Sequence, residues 1–93
     1  MNLVWSPAFS RSVKKMLRQS PQMTKAIAKT LGQLSADAYH PTLKTHKLKG
    51  DLEGIWSCSI DYSNRILFKF VLNSETNDEE IFLIVLGNHD DVY

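Results

Sequence analysis

The sequence is poor in cysteine, which limits how the fold can be held together. Cys58 is the only cysteine among 93 residues, so no disulfide can form within the chain. It lies in an alternating, strand-like run, and that position favours a buried thiol over a reactive nucleophile. The single cysteine indicates a reducing compartment or a fold that is indifferent to redox conditions, and we expect the protein to be cytoplasmic.

Long apolar runs are missing as well. No stretch approaches the roughly eighteen consecutive apolar residues that a membrane-spanning helix requires. Residues 1–9 have neither the basic n-region nor the apolar h-region of a secretory signal. We therefore expect no membrane partner.

The motifs of several common enzyme classes do not occur. There is no Walker loop, no Gly-x-Ser-x-Gly and no Cys-x-x-Cys, which argues against the usual nucleotide-binding, hydrolase and redox sites. The run His89-Asp90-Asp91 contains metal-ligating side chains, but consecutive residues of an extended tail point in different directions. The sequence therefore predicts no metal site and no cofactor.

Charge is abundant but unevenly divided along the chain. The formal net charge is only +1. Residues 1–50 contain nine basic side chains and one acidic, whereas residues 51–93 contain two basic and nine acidic, giving net charges of +8 and −7. Because electrostatic steering depends on the local patch, the first half can attract phosphate groups. The alternative is that these charges only solvate two helix faces.

Two Ser-Pro pairs, Ser6-Pro7 and Ser20-Pro21, mark helix starts. Serine can cap the free amides of a first turn, and proline suits the first helical position. Apolar residues then recur with a helical period. They are Phe9, Val13, Met16 and Leu17 in the first helix and Met23, Ile27, Leu31, Leu34 and Ala38 in the second. The pattern predicts a helical hairpin with one apolar and one basic side, ending before Pro41.

From Ile55 the period changes to two, as in strands. Matching the apolar faces of the runs before and after residues 62–64 predicts an antiparallel pair with Asp61 opposite Arg65 and Ser59 opposite Leu67. The unbroken apolar run 81–86 predicts a central strand covered on both faces.

These elements define the predicted fold. A short apolar run at residues 2–6 precedes the helices, and the polar, basic segment after Pro41 is interpreted as a loop leading into the sheet. The order is β-α-α-β-β-β, an α+β fold in which the helical hairpin packs on one face of a small, mostly antiparallel sheet. We expect residues 1–93 to form one domain.

The second face of the predicted sheet is more polar than stability requires. It carries Ser57, Ser59, Asp61, Arg65 and Lys69. The basic loop 44–49 enters this face, and the tail 89–93 leaves beside it. Lys44, Lys47 and Lys49 of the loop and Lys69 of the strand are the candidate substrate-binding residues.

Four side chains are expected to converge on this face as a catalytic site: His46, Arg65, His89 and Tyr93. Two histidines and an arginine suit phosphodiester cleavage, because one group takes the 2′-hydroxyl proton, one protonates the leaving 5′-oxygen, and a guanidinium stabilises the phosphorane. A tyrosine can stack on a splayed base. The simpler explanations are that each histidine is a surface or capping residue and that Arg65 pairs with Asp61 across the strands.

Three short motifs, taken in order, resemble the RelE/ParE toxin superfamily of bacterial toxin–antitoxin modules, and most closely its YafQ-like branch. They are Lys-Leu-Lys-Gly at 47–50, Asn-Arg-Ile-Leu-Phe at 64–68 and Gly-Asn-His-Asp-Asp-Val-Tyr at 87–93. Strand, helical hairpin and three strands is also the order of that superfamily, so the resemblance spans nearly the whole chain.

The resemblance implies a metal-independent mRNA endoribonuclease that works in the A site on the small subunit of the ribosome and is neutralised by an antitoxin protein. It matches His46, His89 and Tyr93 to catalytic positions of the YafQ-like branch, and Arg65, Lys47 and Lys49 to phosphate-binding positions of the RelE branch. Ser59 and Ser63 depart from it, since the branch has a histidine and an aspartate there. The alternatives are a ParE-like inhibitor of DNA gyrase, and an inactive relative that binds the antitoxin.

Overall fold

The computed structural model describes residues 1–92 apart from the side chain of Asp91. Within this range five strands and three α-helices follow one another along the chain. They are β1 (Leu3–Trp5), α1 (Pro7–Gln19), α2 (Thr24–Ala36), β2 (His46–Lys47), β3 (Trp56–Ser59), β4 (Asn64–Leu72), β5 (Glu79–Asn88) and α3 (His89–Val92). No helix of the described chain combines the length and apolarity needed to cross a bilayer.

The five strands form one mixed sheet in the order β1-β5-β4-β3-β2. β1 is parallel to β5, and the other neighbours are antiparallel. The α+β fold is therefore confirmed, with one strand more than predicted. β2 lies in the segment interpreted as a loop, because a strand of two exposed basic residues at a sheet edge shows no apolar alternation.

The start of α1 is as predicted. The buried hydroxyl of Ser6 accepts a hydrogen bond from the amide of Phe9 at 2.9 Å and donates one to the carbonyl of Ile84 at 3.0 Å. The same side chain thus caps the helix and joins it to β5. The predicted start of the second helix at Ser20-Pro21 is partly correct. Helical structure begins at Pro21 with Ser20 before it, but the first turn is a 3-10 turn without a side-chain cap, and α2 begins at Thr24. Ser20 is also the C-cap of α1, where its amide donates to the Met16 carbonyl.

The core lies between the two long helices and one face of the sheet. α1 contributes Phe9 and Val13, α2 contributes Ile27 and Leu34, and the sheet contributes Cys58, Ile66, Phe68, Ile81, Leu83 and Leu86. These are the apolar positions of the predicted helical and strand periods. The helical hairpin therefore covers one face of the sheet. The other face carries Arg65 and Lys69 together with apolar side chains, of which Leu67 is buried.

The predicted register between β3 and β4 is wrong by two residues. Ser59, not Asp61, lies opposite Arg65, and Ser57 lies opposite Leu67. The turn is wider because the carboxylate of Asp61 accepts hydrogen bonds from the amides of Ser63 and Asn64 at 2.9 and 2.8 Å. A shift of two preserves which face each side chain occupies, so the predicted faces are correct.

β5 is an inner strand, but β4 holds the centre of the sheet. The register between β5 and β4 is interrupted at Leu67 and Phe68 of β4, where β5 has one extra residue, Ile84. Alternate positions are fully buried at Ile81 and Leu83, whereas Phe82 is only half-buried. The prediction of a strand covered on both faces is therefore only partly correct.

Candidate active site

The turn between β3 and β4 holds Arg65 in place. Its guanidinium Nη1 donates to the main-chain carbonyls of Asp61 and Asn64. The carboxylate of Asp61 is engaged by the amides of the turn and by the side chain of Asn64. Among the described side chains Arg65 makes no ion pair. The simpler explanation, a cross-strand ion pair with Asp61, is therefore not observed.

Arg65 and His89 line one exposed cleft of about 550 Å³. Gly87 pairs with Arg65 across β4 and β5, so the chain after β5 begins α3 beside the arginine. The amide of His89 donates to the carbonyl of Ser63 at 2.8 Å, which ties the start of α3 to the β3–β4 turn. The His89 imidazole is 58% exposed, and its Nδ1 lies 3.7 Å from a carboxylate oxygen of Asp90.

His46 lies on the same face of the sheet as Arg65, at the β2 edge. It pairs with Ser57, which pairs with Leu67, and Leu67 is two residues from Arg65 on β4. His46 and Arg65 are therefore separated by two inter-strand spacings across the sheet and by two residues along the strand. With ordinary strand dimensions, their backbones lie about 12 Å apart. Both side chains extend from the same face of the sheet, with the buried residues Ser57 and Leu67 between them.

The His46 ring is oriented by the main chain. Its Nδ1 lies 2.9 Å from the carbonyl oxygen of Lys44. A carbonyl can only accept, so Nδ1 carries the proton of this contact, and Nε2 of the neutral ring is left as the proton acceptor. Lys44 itself has a left-handed backbone, at φ 52°. His46 thus has the tautomer that a general base requires.

The four predicted substrate-binding lysines differ in where their side chains lie relative to Arg65. Lys44 and Lys49 are exposed in the segment around β2. Lys69 is on the Arg65 face, about 14 Å along β4, with its Nζ 5.4 Å from the ring centre of Phe82. Lys47 alternates to the helix side, where its Nζ lies 5.4 Å from the ring centre of Trp56. The geometry therefore does not direct Lys47 towards Arg65.

The two serines at the branch's histidine and aspartate positions lie beside the arginine. Ser59 is directly opposite Arg65 on β3, and Ser63 lines the cleft. Neither serine is a strong acid–base group. The described candidates for proton transfer are His89 and the exposed Asp90 carboxylate in the cleft, and His46 on the same face of the sheet. Tyr93, the fourth predicted catalytic residue, lies outside the described residues.

The remaining candidate groups have structural roles. His40 caps a 3-10 turn, with its Nδ1 accepting from the amide of Thr42 at 3.3 Å. Cys58 is fully buried, and burial raises the pKa of its thiol to about 12, while a hydrogen bond with the Ile66 main chain and the Arg65 charge act in the opposite direction. The buried, unreactive thiol is as predicted. No three metal-ligating side chains of the described chain cluster together.

A larger cleft of about 760 Å³ adjoins the first, between α1 and the end of β5. Both clefts are lined by Asn88, and the larger one reaches Lys15 on the outer side of α1. The other basic side chains of the helical hairpin are also exposed, at Arg11, Lys14, Arg18, Lys25 and Lys29. No described carboxylate lies within 4 Å of any of them. The outer side of the helical hairpin therefore carries exposed positive charge, and Lys15 brings part of it to the larger cleft.

One residue of the cleft is not anticipated by the sequence. Tyr62 stands at the tip of the β3–β4 turn and lines the cleft with Arg65 and His89, with 94% of its surface exposed. Tyr62 follows the strand-like run and is part of no recognisable motif. The sequence indicates only that it lies in a turn three residues before Arg65. The turn brings an aromatic ring to the two candidate catalytic groups.

No protein-family model and no curated protein sequence matches this chain. Solved structures do. YafQ from E. coli superposes with a TM-score of 0.80 at 15% identity, covering 99% of this chain and 97% of YafQ. The YoeB/ParE toxin from Agrobacterium tumefaciens gives 0.76 at 21% identity, covering 96% and 99%. YoeB in the YoeB–YefM complex from Staphylococcus aureus gives 0.70 at 22% identity, covering 96% and 97%.

These likenesses define the class of fold: the chain has the fold of the RelE/ParE-like toxins. YafQ, YoeB and the YoeB/ParE toxin are each matched over nearly their whole length. At identities of 15 to 22% the likeness establishes the fold, and the activity has to be argued from this chain's own residues.

Proposed function

We propose that this chain is the toxin of a type II toxin–antitoxin module and that it cleaves messenger RNA on the ribosome without a metal. The observation that carries the proposal is the placement of Arg65 and His89 in one exposed cleft, with His46 on the same face of the sheet. These are the groups that cleavage by an internal 2′-hydroxyl needs: a base, an acid and a cation.

The reaction begins with His46. Nε2 of its neutral ring takes the proton of the 2′-hydroxyl, and the 2′-oxygen attacks the adjacent phosphorus. The P–O5′ bond then breaks, and the imidazolium of His89 donates its proton to the leaving 5′-oxygen. The products are a 2′,3′-cyclic phosphate and a 5′-hydroxyl, and no water is consumed.

The order of the strands supports the roles of His46 as base and His89 as acid. In-line displacement requires the attacking and leaving oxygens on opposite sides of the phosphorus. His46 is on β2, two strands to one side of Arg65, whereas His89 follows β5, the neighbouring strand on the other side. A phosphate bound by Arg65 would therefore meet the two histidines from opposite sides.

Arg65 is the proposed phosphate ligand and stabilises the phosphorane. Its contacts to two main-chain carbonyls orient the guanidinium before substrate arrives. Such preorganisation avoids a reorganisation cost in the transition state. Lys44, Lys49 and Lys69 would add weaker phosphate contacts around it, whereas the cation–π contact of Lys47 on the helix side argues against a direct role.

Two partners belong to this proposal. The exposed basic side chains of α1 and α2 suit ribosomal RNA, with the A site of the small ribosomal subunit presenting the message to the cleft. A cognate antitoxin protein would keep the toxin inactive. The structure of YoeB with YefM, whose YoeB chain has this fold, supports that second partner.

Cleavage of a defined message on programmed ribosomes tests the proposal. His89→Gln and His46→Asn are each expected to reduce the single-turnover rate about 100- to 10,000-fold, because each removes a proton-transfer group. Asparagine can keep the contact to the Lys44 carbonyl, so His46→Asn should not alter the loop. Arg65→Lys keeps the charge but loses the planar fork, and we expect a reduction of about 100- to 1,000-fold.

The third histidine supplies the matched control. His40→Asn replaces one capping residue by another and should leave the cleavage rate unchanged. Intact message in the presence of wild type, with inhibition of DNA supercoiling by gyrase, would instead favour the gyrase-inhibitor alternative. Antitoxin binding with neither effect would favour an inactive relative.

A further inference from the structure

Tyr62 is exposed to an extent that folding does not explain. The residue is 94% exposed, against 46% for Trp5 and 60% for Tyr39. Trp5 packs edge-on to Phe9 with ring centres 4.9 Å apart, and Tyr39 contacts the rings of Trp56 and Phe70. Among the described residues Tyr62 has no such ring contact. The aromatic ring therefore contributes little hydrophobic stabilisation to the fold.

The turn that carries Tyr62 is nevertheless well ordered by hydrogen bonds. The Asp61 carboxylate binds the amides of Ser63 and Asn64, and the Ile60 amide donates to the Asn64 carbonyl. The Ser63 carbonyl accepts from the His89 amide, which joins the turn to α3. The two residues on either side of Tyr62 are thus fixed, while its ring is left in solvent.

The same hydrogen bonds place the ring relative to the proposed chemistry. Arg65 is three residues from Tyr62 and donates to the carbonyl of Asp61, the residue before it. Tyr62, Arg65 and His89 line one cleft of about 550 Å³. A nucleotide whose phosphate is bound by Arg65 would have its base within reach of the Tyr62 ring.

We propose that Tyr62 is the stacking platform for the unpaired base next to the scissile phosphate. This inference rests on the proposed function, because it takes the ligand of the cleft to be single-stranded RNA. Unstacked bases are commonly held on aromatic side chains, and each base presents a π-face, so such a platform tolerates different bases. Tyr62 orients the nucleotide, and the phenol hydroxyl takes no part in proton transfer.

Single-turnover cleavage on programmed ribosomes separates the ring from the hydroxyl. Tyr62→Ala should lower kcat/KM about 5- to 150-fold, the range that loss of one base–aromatic stack produces. Tyr62→Phe and Tyr62→Trp should stay within about threefold of wild type, and Tyr62→Leu should behave like alanine. A Phe variant as impaired as the Ala variant would overturn the stacking role in favour of a role for the hydroxyl.

Tyr39→Ala is the matched control, since Tyr39 is the other exposed tyrosine among the described residues but packs on neighbouring rings. It should lower Tm and leave kcat/KM unchanged, whereas Tyr62→Ala should lower kcat/KM and leave Tm unchanged. Equal activity of wild type and Tyr62→Ala, in a wild type that cleaves, would refute the platform without touching the proposed function.

A direct measurement keeps the inference testable if wild type does not cleave. A short oligoribonucleotide with 2-aminopurine beside the bound phosphate, added to the His89→Gln protein, should lose fluorescence as the base stacks. The quench should persist with His89→Gln/Tyr62→Phe and disappear with His89→Gln/Tyr62→Ala. An equal quench by all three proteins would contradict the inference.

Discussion

His46 and Arg65 are both oriented by main-chain carbonyls and by no acidic side chain. The His46 ring donates to the Lys44 carbonyl, and the Arg65 guanidinium donates to the carbonyls of Asp61 and Asn64. A carbonyl fixes direction without cancelling a positive charge, whereas a carboxylate would compete with phosphate for the guanidinium. Asp61 contacts Arg65 through its main-chain carbonyl, while its carboxylate is bound by the amides of the turn. Arg65 therefore stays available to bind an anion.

The alkaline stability of the protein tests the environment of Cys58. Burial raises the pKa of its thiol from an ordinary 9.0 to about 12, so above pH 9 the unfolded chain loses this proton while the folded chain keeps it. Stability should therefore fall as pH rises through that window, by about 1.4 kcal/mol between pH 8 and pH 10.

Urea unfolding of wild type and Cys58→Ala across this pH range provides the measurement. The alanine variant should start less stable, because a buried sulfur is lost, but its stability should decline less steeply by that amount. Parallel declines would show that the Cys58 thiol ionises alike in both states.

The helices and strands differ in how far their sequence determines them. The helical periods and the Ser6 cap predict α1 correctly, because a helix is specified by local hydrogen bonds and spacing. The register of β3 on β4 depends on where the Asp61 carboxylate binds in the turn, and β2 depends on pairing with a distant strand. Neither the register of β3 nor the existence of β2 produces a periodic pattern in the sequence, so only the structure shows them.

The attachment of α1 to β5 is another feature without a sequence signal. The hydroxyl of Ser12 donates to the Phe9 carbonyl at 2.7 Å and accepts from the amide of Leu86 at 3.0 Å. Leu86 is buried in the core, so removing its acceptor leaves an amide unsatisfied.

Replacement of this serine should therefore destabilise the protein, although alanine is the better helix former. We expect Ser12→Ala to lower the free energy of unfolding by about 1 to 3 kcal/mol, measured by urea denaturation. Ser10→Ala, two residues away on the same helix, should change it by less than about 0.5 kcal/mol. Similar values for the two variants would show that the contact to β5 adds nothing to stability.

At the scale of the whole molecule, topology assembles the site from three distant parts of the chain. The antiparallel pairing of β4 and β5 brings His89 beside Arg65, and β2 adds His46 from the opposite edge. The sequence predicted this polar face and its residues, while their catalytic roles stay predictions. The exposed basic side chains of the helical hairpin have no described acidic partner, as the proposed contact with ribosomal RNA requires.

The chemical nature of the cleavage ends tests the central claim most directly. With wild-type protein and programmed ribosomes, we predict a 2′,3′-cyclic phosphate on one fragment, a 5′-hydroxyl on the other, and no cleavage when the nucleotide before the scissile bond is 2′-deoxy. Fragments with 5′-phosphate ends, or cleavage of the deoxy-substituted message, would contradict the proposed roles of His46, Arg65 and His89.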